Sequence, residues 1–148
     1  MQHAKIIEWV LRIAIFGEFL GHGVFGLQGK QQWLAWISQL TGASDVLAVQ
    51  LLTLVGIMDI LIAFTVLVKP LRIVLIWAAI WGFWTALVRP IVGEPVWDFV
   101  ERWTNWGAPL ALLFFLGLPK TLSDLWKVKS KDVAGNAGAS PQVKVTYR

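Results

Sequence analysis

An all-α protein built as a four-helix transmembrane bundle, with an amphipathic interfacial segment between its first two spans, is what this sequence predicts. Three observations carry that expectation. Hydrophobic residues make up 57% of the 148 positions with a mean hydropathy of +0.64, charged residues only 15%, and the chain falls into apolar runs of membrane-crossing length. A soluble domain of this size carries roughly 25% charged residues, so the apolar surface here needs lipid as its solvent.

The first run, 6–27, would make a helix about 33 Å long, enough to cross a bilayer core. It contains Arg12, Glu18 and His22, and its four glycines at 17, 21, 23 and 26 offer a small-residue surface for close helix contact. Gln28–Asp45 is too short and too polar to cross; Trp33, Leu34, Ile37 and Leu40 share one helical face, as expected of a helix lying in the interface. The second span, 46–68, holds Asp59 near its middle and is closed by Lys69-Pro70. The third, 71–91, places Trp77, Trp81 and Trp84 on one stripe and Thr85 and Arg89 on another, with Pro90 expected to end it.

The fourth span, 96–118, segregates its polar groups by depth. Read as one helix, it sets Asp98, Glu101, Arg102 and Asn105 on one face of its first two turns and leaves Trp106–Leu118 without charge. Pro109 removes the donor that the carbonyl of Asn105 would meet, freeing an acceptor beside those side chains. Residues 1–119 therefore read as one transmembrane domain and 120–148 as a basic cytoplasmic tail. A short amphipathic turn is expected at 122–128 and a partly disordered end beyond it.

Charge asymmetry orients the bundle. Lys5, Arg12, Lys69, Arg72 and all the tail cations fall on the side of the termini, against Lys30, Arg89 and Arg102 on the other. The positive-inside rule then places both termini in the cytoplasm of a bacterial-type inner membrane. The absence of cysteine excludes thiol relays and thiolate-held metals, so a redox role requires a bound cofactor or a partner subunit.

Depth selects the candidate site. Glu18, His22 and Asp59 are the candidate catalytic, proton-handling groups, because an ionisable side chain near a helix centre costs roughly 2.5–3.5 kcal/mol unless it is paired or used. Arg89, Glu101, Arg102 and Asn105 are the candidate substrate-binding groups, converging with them on a pocket in the outer half and with Asp59 as its floor. Structural uses compete: Arg12 snorkelling to the interface, Arg89 neutralising a helix end, Glu101 and Arg102 as an interfacial ion pair, the tryptophans as packing. No metal site is predicted from these residues, and a single intramembrane histidine gives no bis-histidine haem.

The stretches LRIAIFGEFLGHG, LLTLVGIMDILIAFTVLVKP, WGFWTALVRP and WDFVERWTNWGAPLALL together resemble the DoxX/DoxD-like family of small four-span membrane proteins, over about Leu11–Leu118. In that likeness His22 matches a His-Gly motif, and Arg89, Glu101 and Asn105 match the later motifs. Where many relatives have Lys-Leu shortly after His-Gly, this chain has Gly26-Leu27, and its lysine arrives at Lys30. The resemblance implies a membrane subunit of a quinone-linked, thiosulfate:quinone oxidoreductase-like system, with a quinone or other small molecule as ligand and partner subunits or further copies of the chain around it. The alternative is a non-enzymatic scaffold or a small-solute or proton carrier. Nucleic acid is not an expected partner, since orientation and anionic lipid account for the basic tail.

Overall fold

The structure, a computed structural model, describes residues 2–128, so the expected disordered tail lies outside the described residues. Every regular element among them is helical: α1 (Gln2–Leu27), α2 (Gln31–Thr41), α3 (Asp45–Val68), α4 (Arg72–Ile91), α5 (Val96–Val100), α6 (Trp103–Leu116) and a 3-10 helix at Leu122–Trp126. Three helices, His3–Leu27 within α1, α3 and α4, are long and apolar enough to cross a membrane.

Local chemistry accounts for most of the boundaries. Gly29 (φ +66°) and Gly42 (φ +70°) bracket α2 in the left-handed region that other residues avoid, and Gly42 closes the helix by donating to the Ser38 carbonyl. Ser44 caps α3 by accepting from the Leu47 N–H, with Asp45 complementing the positive end of the helix. Lys69-Pro70 ends α3 as expected. Pro90, by contrast, lies within the last turn of α4 instead of stopping it; Val92 still donates to the Val88 carbonyl beyond it.

The expectation of one continuous helix over 96–118 is corrected. The chain leaves the helix at Arg102 (φ −99°, ψ 14°), separating α5 from α6. The cause is a competition for one carbonyl: Arg102 Nη1 donates to the Asp98 oxygen at 2.9 Å, the acceptor its own backbone N–H would use in an unbroken helix. The Arg102 N–H bonds to Phe99 instead, and Asn105 N–H to Arg102, a tighter three-residue ladder. The common face of Asp98, Glu101, Arg102 and Asn105 is lost with the break: Asn105 is buried while Glu101 is exposed. At 14 residues α6 is about 21 Å long, short of a full hydrocarbon core.

Packing runs in the order α3, α1, α6, α4, with only a brief direct contact between α3 and α4. Two glycine contacts bring backbones together. Gly56 of α3 meets Gly23 and Gly26 of α1 so closely that an added Cβ would lie 2.8 Å from the Gly23 carbonyl oxygen, and one at Gly82 of α4 would lie 2.6 Å from that of Asn105. Gly17 and Gly21 face open space, so only half of the small-residue surface of α1 is used. The core between the four helices is aliphatic, centred on Ile15, Ile62, Leu75 and Leu112. The outward faces are equally apolar, with Leu54, Leu61, Phe64, Ile80 and Phe114 exposed, the pattern of helices that meet lipid.

Two arginines lock this arrangement. Arg12 pairs with Glu8 at 2.6 Å and donates to the Leu67 carbonyl near the end of α3. Arg72, entirely buried at the start of α4, donates to the carbonyls of Leu116, Gly117, Asp124 and Lys127, fastening the end of α6 and the 3-10 helix. Within that last turn Lys127 and Thr121 hold the Asp124 carboxylate below its ordinary range.

Candidate functional site

A cavity of about 370 Å³ lies between α3 and α4, which touch only briefly, and is roofed by α2. Five of the predicted site residues line it: His22 from α1, Asp59 from α3, Arg89 from α4, and Arg102 and Asn105 from the segment around the break. Glu18 lines a second, smaller cavity between α1 and α6, and the exposed Glu101 lines neither. The Glu101 carboxylate instead accepts from Arg102, so these two form an ion pair with each other.

Asp59 is 3% exposed, and its Oδ1 accepts from the Trp81 indole N–H at 3.0 Å, a polar bond joining α3 to α4 at the cavity wall. Trp81 also stacks flat on Trp77, with ring centroids 6.0 Å apart. His22 sits one turn beyond Glu18, Nε2 to Oε1 3.3 Å, and meets the ring of Trp33 edge-on. Charge reaches His22 from Glu18, Arg89, Arg102 and Lys30.

Arg89 is 6% exposed at the end of α4, with its guanidinium carbon 5.0 Å over the ring of Trp36. Its Nε is buried with no hydrogen-bond partner among the described residues, as are Nδ2 of Asn105 and Nε1 of Trp33. Leaving a buried donor unmade costs about 1–3 kcal/mol, and two further such donors, Arg12 Nε and Trp106 Nε1, lie on residues away from this cavity.

Sequence reasoning missed the roof. The apolar face of Gln28–Asp45 was expected to lie on the interface, and Trp36 was not on it. The structure turns Trp33, Trp36, Ile37 and Leu40 toward the cavity, and ties α2 to the turn after α4 by a 3.0 Å bond from Gln32 to Glu94. The helical repeat did reveal an amphipathic face; nothing in it said which apolar surface would receive that face. The tryptophan stripe of α4 likewise serves as more than packing, since Trp81 and Trp84 line the cavity. The fold and site thus define a class, a helical protein with three helices long and apolar enough to cross a membrane and a roofed, aromatic cavity among them. No known family model, curated protein or solved structure matches the chain.

Proposed function

We propose that this chain is an integral membrane subunit of a quinone-linked oxidoreductase system and that its large cavity receives the quinone ring. The observation that carries the reading is the cavity itself: about 370 Å³, aromatic-walled, with the polar side chains of Arg89, Arg102 and Asn105 in its lining. That volume is in the range of small-molecule sites, and the residue types suit a flat apolar ring bearing carbonyl oxygens. The likeness of the four quoted stretches to DoxX/DoxD-like proteins supports the reaction class.

In this reading Arg89 and Asn105 hold carbonyl oxygens, Trp36 and Trp84 flank the ring, and Trp33 closes the roof. When bound, a quinone supplies two-electron, two-proton redox chemistry that this cysteine-free chain lacks. His22 and Asp59, both on the wall, are the groups able to take or give protons there. The break at Arg102 serves the site by turning Asn105 inward while Glu101 stays outside. The bundle crosses the membrane four times in this reading, α5 and α6 together making the last crossing, with both termini in the cytoplasm.

Four of the ten tryptophans, at 33, 36, 81 and 84, line the cavity, so a bound quinone must quench the intrinsic fluorescence. Titrating a short-chain ubiquinone into the detergent-solubilised protein is expected to give saturable quenching. Arg89→Gln and Asn105→Leu are each expected to weaken binding about tenfold, the worth of one hydrogen bond of roughly 1.4 kcal/mol. Non-saturable quenching, or equal affinity in both variants, overturns the reading. A scaffold role draws on a different observation, the spending of Arg12 and Arg72 on carbonyls of neighbouring elements. It predicts that His22→Ala lowers thermal stability but supports full respiratory function wherever it folds.

A further inference from the structure

The smaller cavity, about 150 Å³ between α1 and α6, is lined by Ala14, Ile15, Glu18, Phe19, Thr104, Asn105, Ala108 and Pro109. Glu18 is its single ionisable lining residue, and the other polar ones, Thr104 and Asn105, are neutral. The Glu18 side chain is 36% exposed in the interior of a helix of membrane-crossing length. An ionised carboxylate facing hydrocarbon there would cost roughly 2.5–3.5 kcal/mol. A hollow of this size has room for water, and Thr104, Asn105 and Glu18 supply the polar partners that such waters need.

Two links connect this small cavity to the large one. Asn105, 5% exposed with its amide nitrogen unpartnered, lines both. The Glu18 Oε1, on the small side, lies 3.3 Å from Nε2 of His22, on the large side. We propose that the cleft between α1 and α6 is a hydrated proton inlet, through which Glu18 hands protons to His22 on the wall of the large cavity, with Asn105 as the partition between the two. The use to which the protons are put rests on the quinone reading; the inlet itself does not.

Each transfer is a simple exchange of bonds. A hydronium ion in the cleft gives its proton to the Glu18 carboxylate and is left as water. The Glu18 O–H bond breaks as the N–H bond forms at Nε2 of His22. The imidazolium then passes its Nδ1 proton to a water or other acceptor in the large cavity, and the neutral ring regains its starting tautomer by moving its remaining proton from Nε2 to Nδ1 through water. No electron moves and nothing else is consumed. The charged groups acting on His22 are Glu18 from α1, Lys30 from the α1–α2 turn, Arg89 from α4 and Arg102 before α6, while Asp59 of α3 interacts with Glu18. Separating the two cavities makes physical sense: the ring site stays apolar while protons arrive from the side.

The chain has no cysteine, so single cysteines can report hydration directly. Ala14→Cys and Ala108→Cys, on opposite walls of the cleft, are treated with 2-aminoethyl methanethiosulfonate, which reacts with the thiolate that only a hydrated site supports. Both are expected to react, and a Leu54→Cys control on the outward face of α3 is expected not to. Failure of both cleft positions overturns the inlet. The relay is read by nitrogen-15 NMR as the exchange rate of the His22 imidazole proton. Glu18→Gln is expected to slow it about a hundredfold, the lower end of what a positioned acid–base group contributes, and Asp45→Asn, in the first turn of α3 and on neither cavity, to leave it unchanged. An unchanged rate in a folded Glu18→Gln protein overturns the relay. Ubiquinone quenching on the same variants separates the two readings: normal quenching with a dry cleft removes the inlet alone, and absent quenching with a reactive cleft removes the quinone alone.

Discussion

Asp59 and Trp81 show how one polar bond serves both the bundle and the cavity. A nearly buried carboxylate on α3 would be expensive without a donor, and the donor comes from an indole three helices later in the packing order, at 3.0 Å. Trp81→Phe keeps the ring stacked on Trp77 but removes the N–H. It should cost about 1–3 kcal/mol, visible as a lower melting temperature in detergent. Asp59→Asn keeps a carbonyl acceptor for Trp81 and should melt within about 1 kcal/mol of the parent. If both variants melt together with the parent, the bond contributes nothing to stability. Arg89 is the opposite case, a residue whose guanidinium lies over the ring of Trp36 and whose buried Nε has no hydrogen-bond partner among the described residues.

Among the elements, the glycines separate contact from composition. A methyl group at Gly82 would lie 2.6 Å from the Asn105 carbonyl oxygen, a backbone atom that cannot rotate away, so α4 and α6 would have to part. Gly82→Ala is therefore expected to destabilise by about 1–3 kcal/mol and, by shifting Asn105, to weaken ubiquinone binding as well. Gly17→Ala and Gly21→Ala meet nothing within 4 Å and should be neutral or stabilising by up to about 1 kcal/mol through helix propensity. Thermal melts of the three variants side by side check this, and equal losses in all three would remove the distinction. The same scale explains the divided last helix. The residues Asp98–Asn105 have the spacing of a helical face, yet a side-chain guanidinium outcompetes the backbone N–H for the Asp98 carbonyl, and no periodicity can register that exchange.

For the whole molecule, the question is whether the 14-residue α6 completes a fourth crossing. Single cysteines answer it in intact cells with a membrane-impermeant maleimide. With four crossings, Gln39→Cys at α2 is labelled from outside, while Lys69→Cys and Ser123→Cys are labelled only after permeabilisation. Labelling of Ser123→Cys from outside would leave three crossings and reverse the side of the C-terminus.

Composition and period made the all-helical class legible: the apolar runs long enough to cross a membrane, the polar punctuation at Lys69-Pro70, and the burial of costly groups such as Asp59 are all properties of single segments. The helix partners, the cavity and its roof were not readable, because they depend on which surfaces meet in space. Only the tertiary structure divided the predicted pocket in two, with Glu18 on one side of Asn105 and His22 on the other, and only it turned Trp36 over Arg89. Those outcomes follow from close glycine contacts, one contested carbonyl and the gap left between α3 and α4, all of which arise between elements distant in sequence.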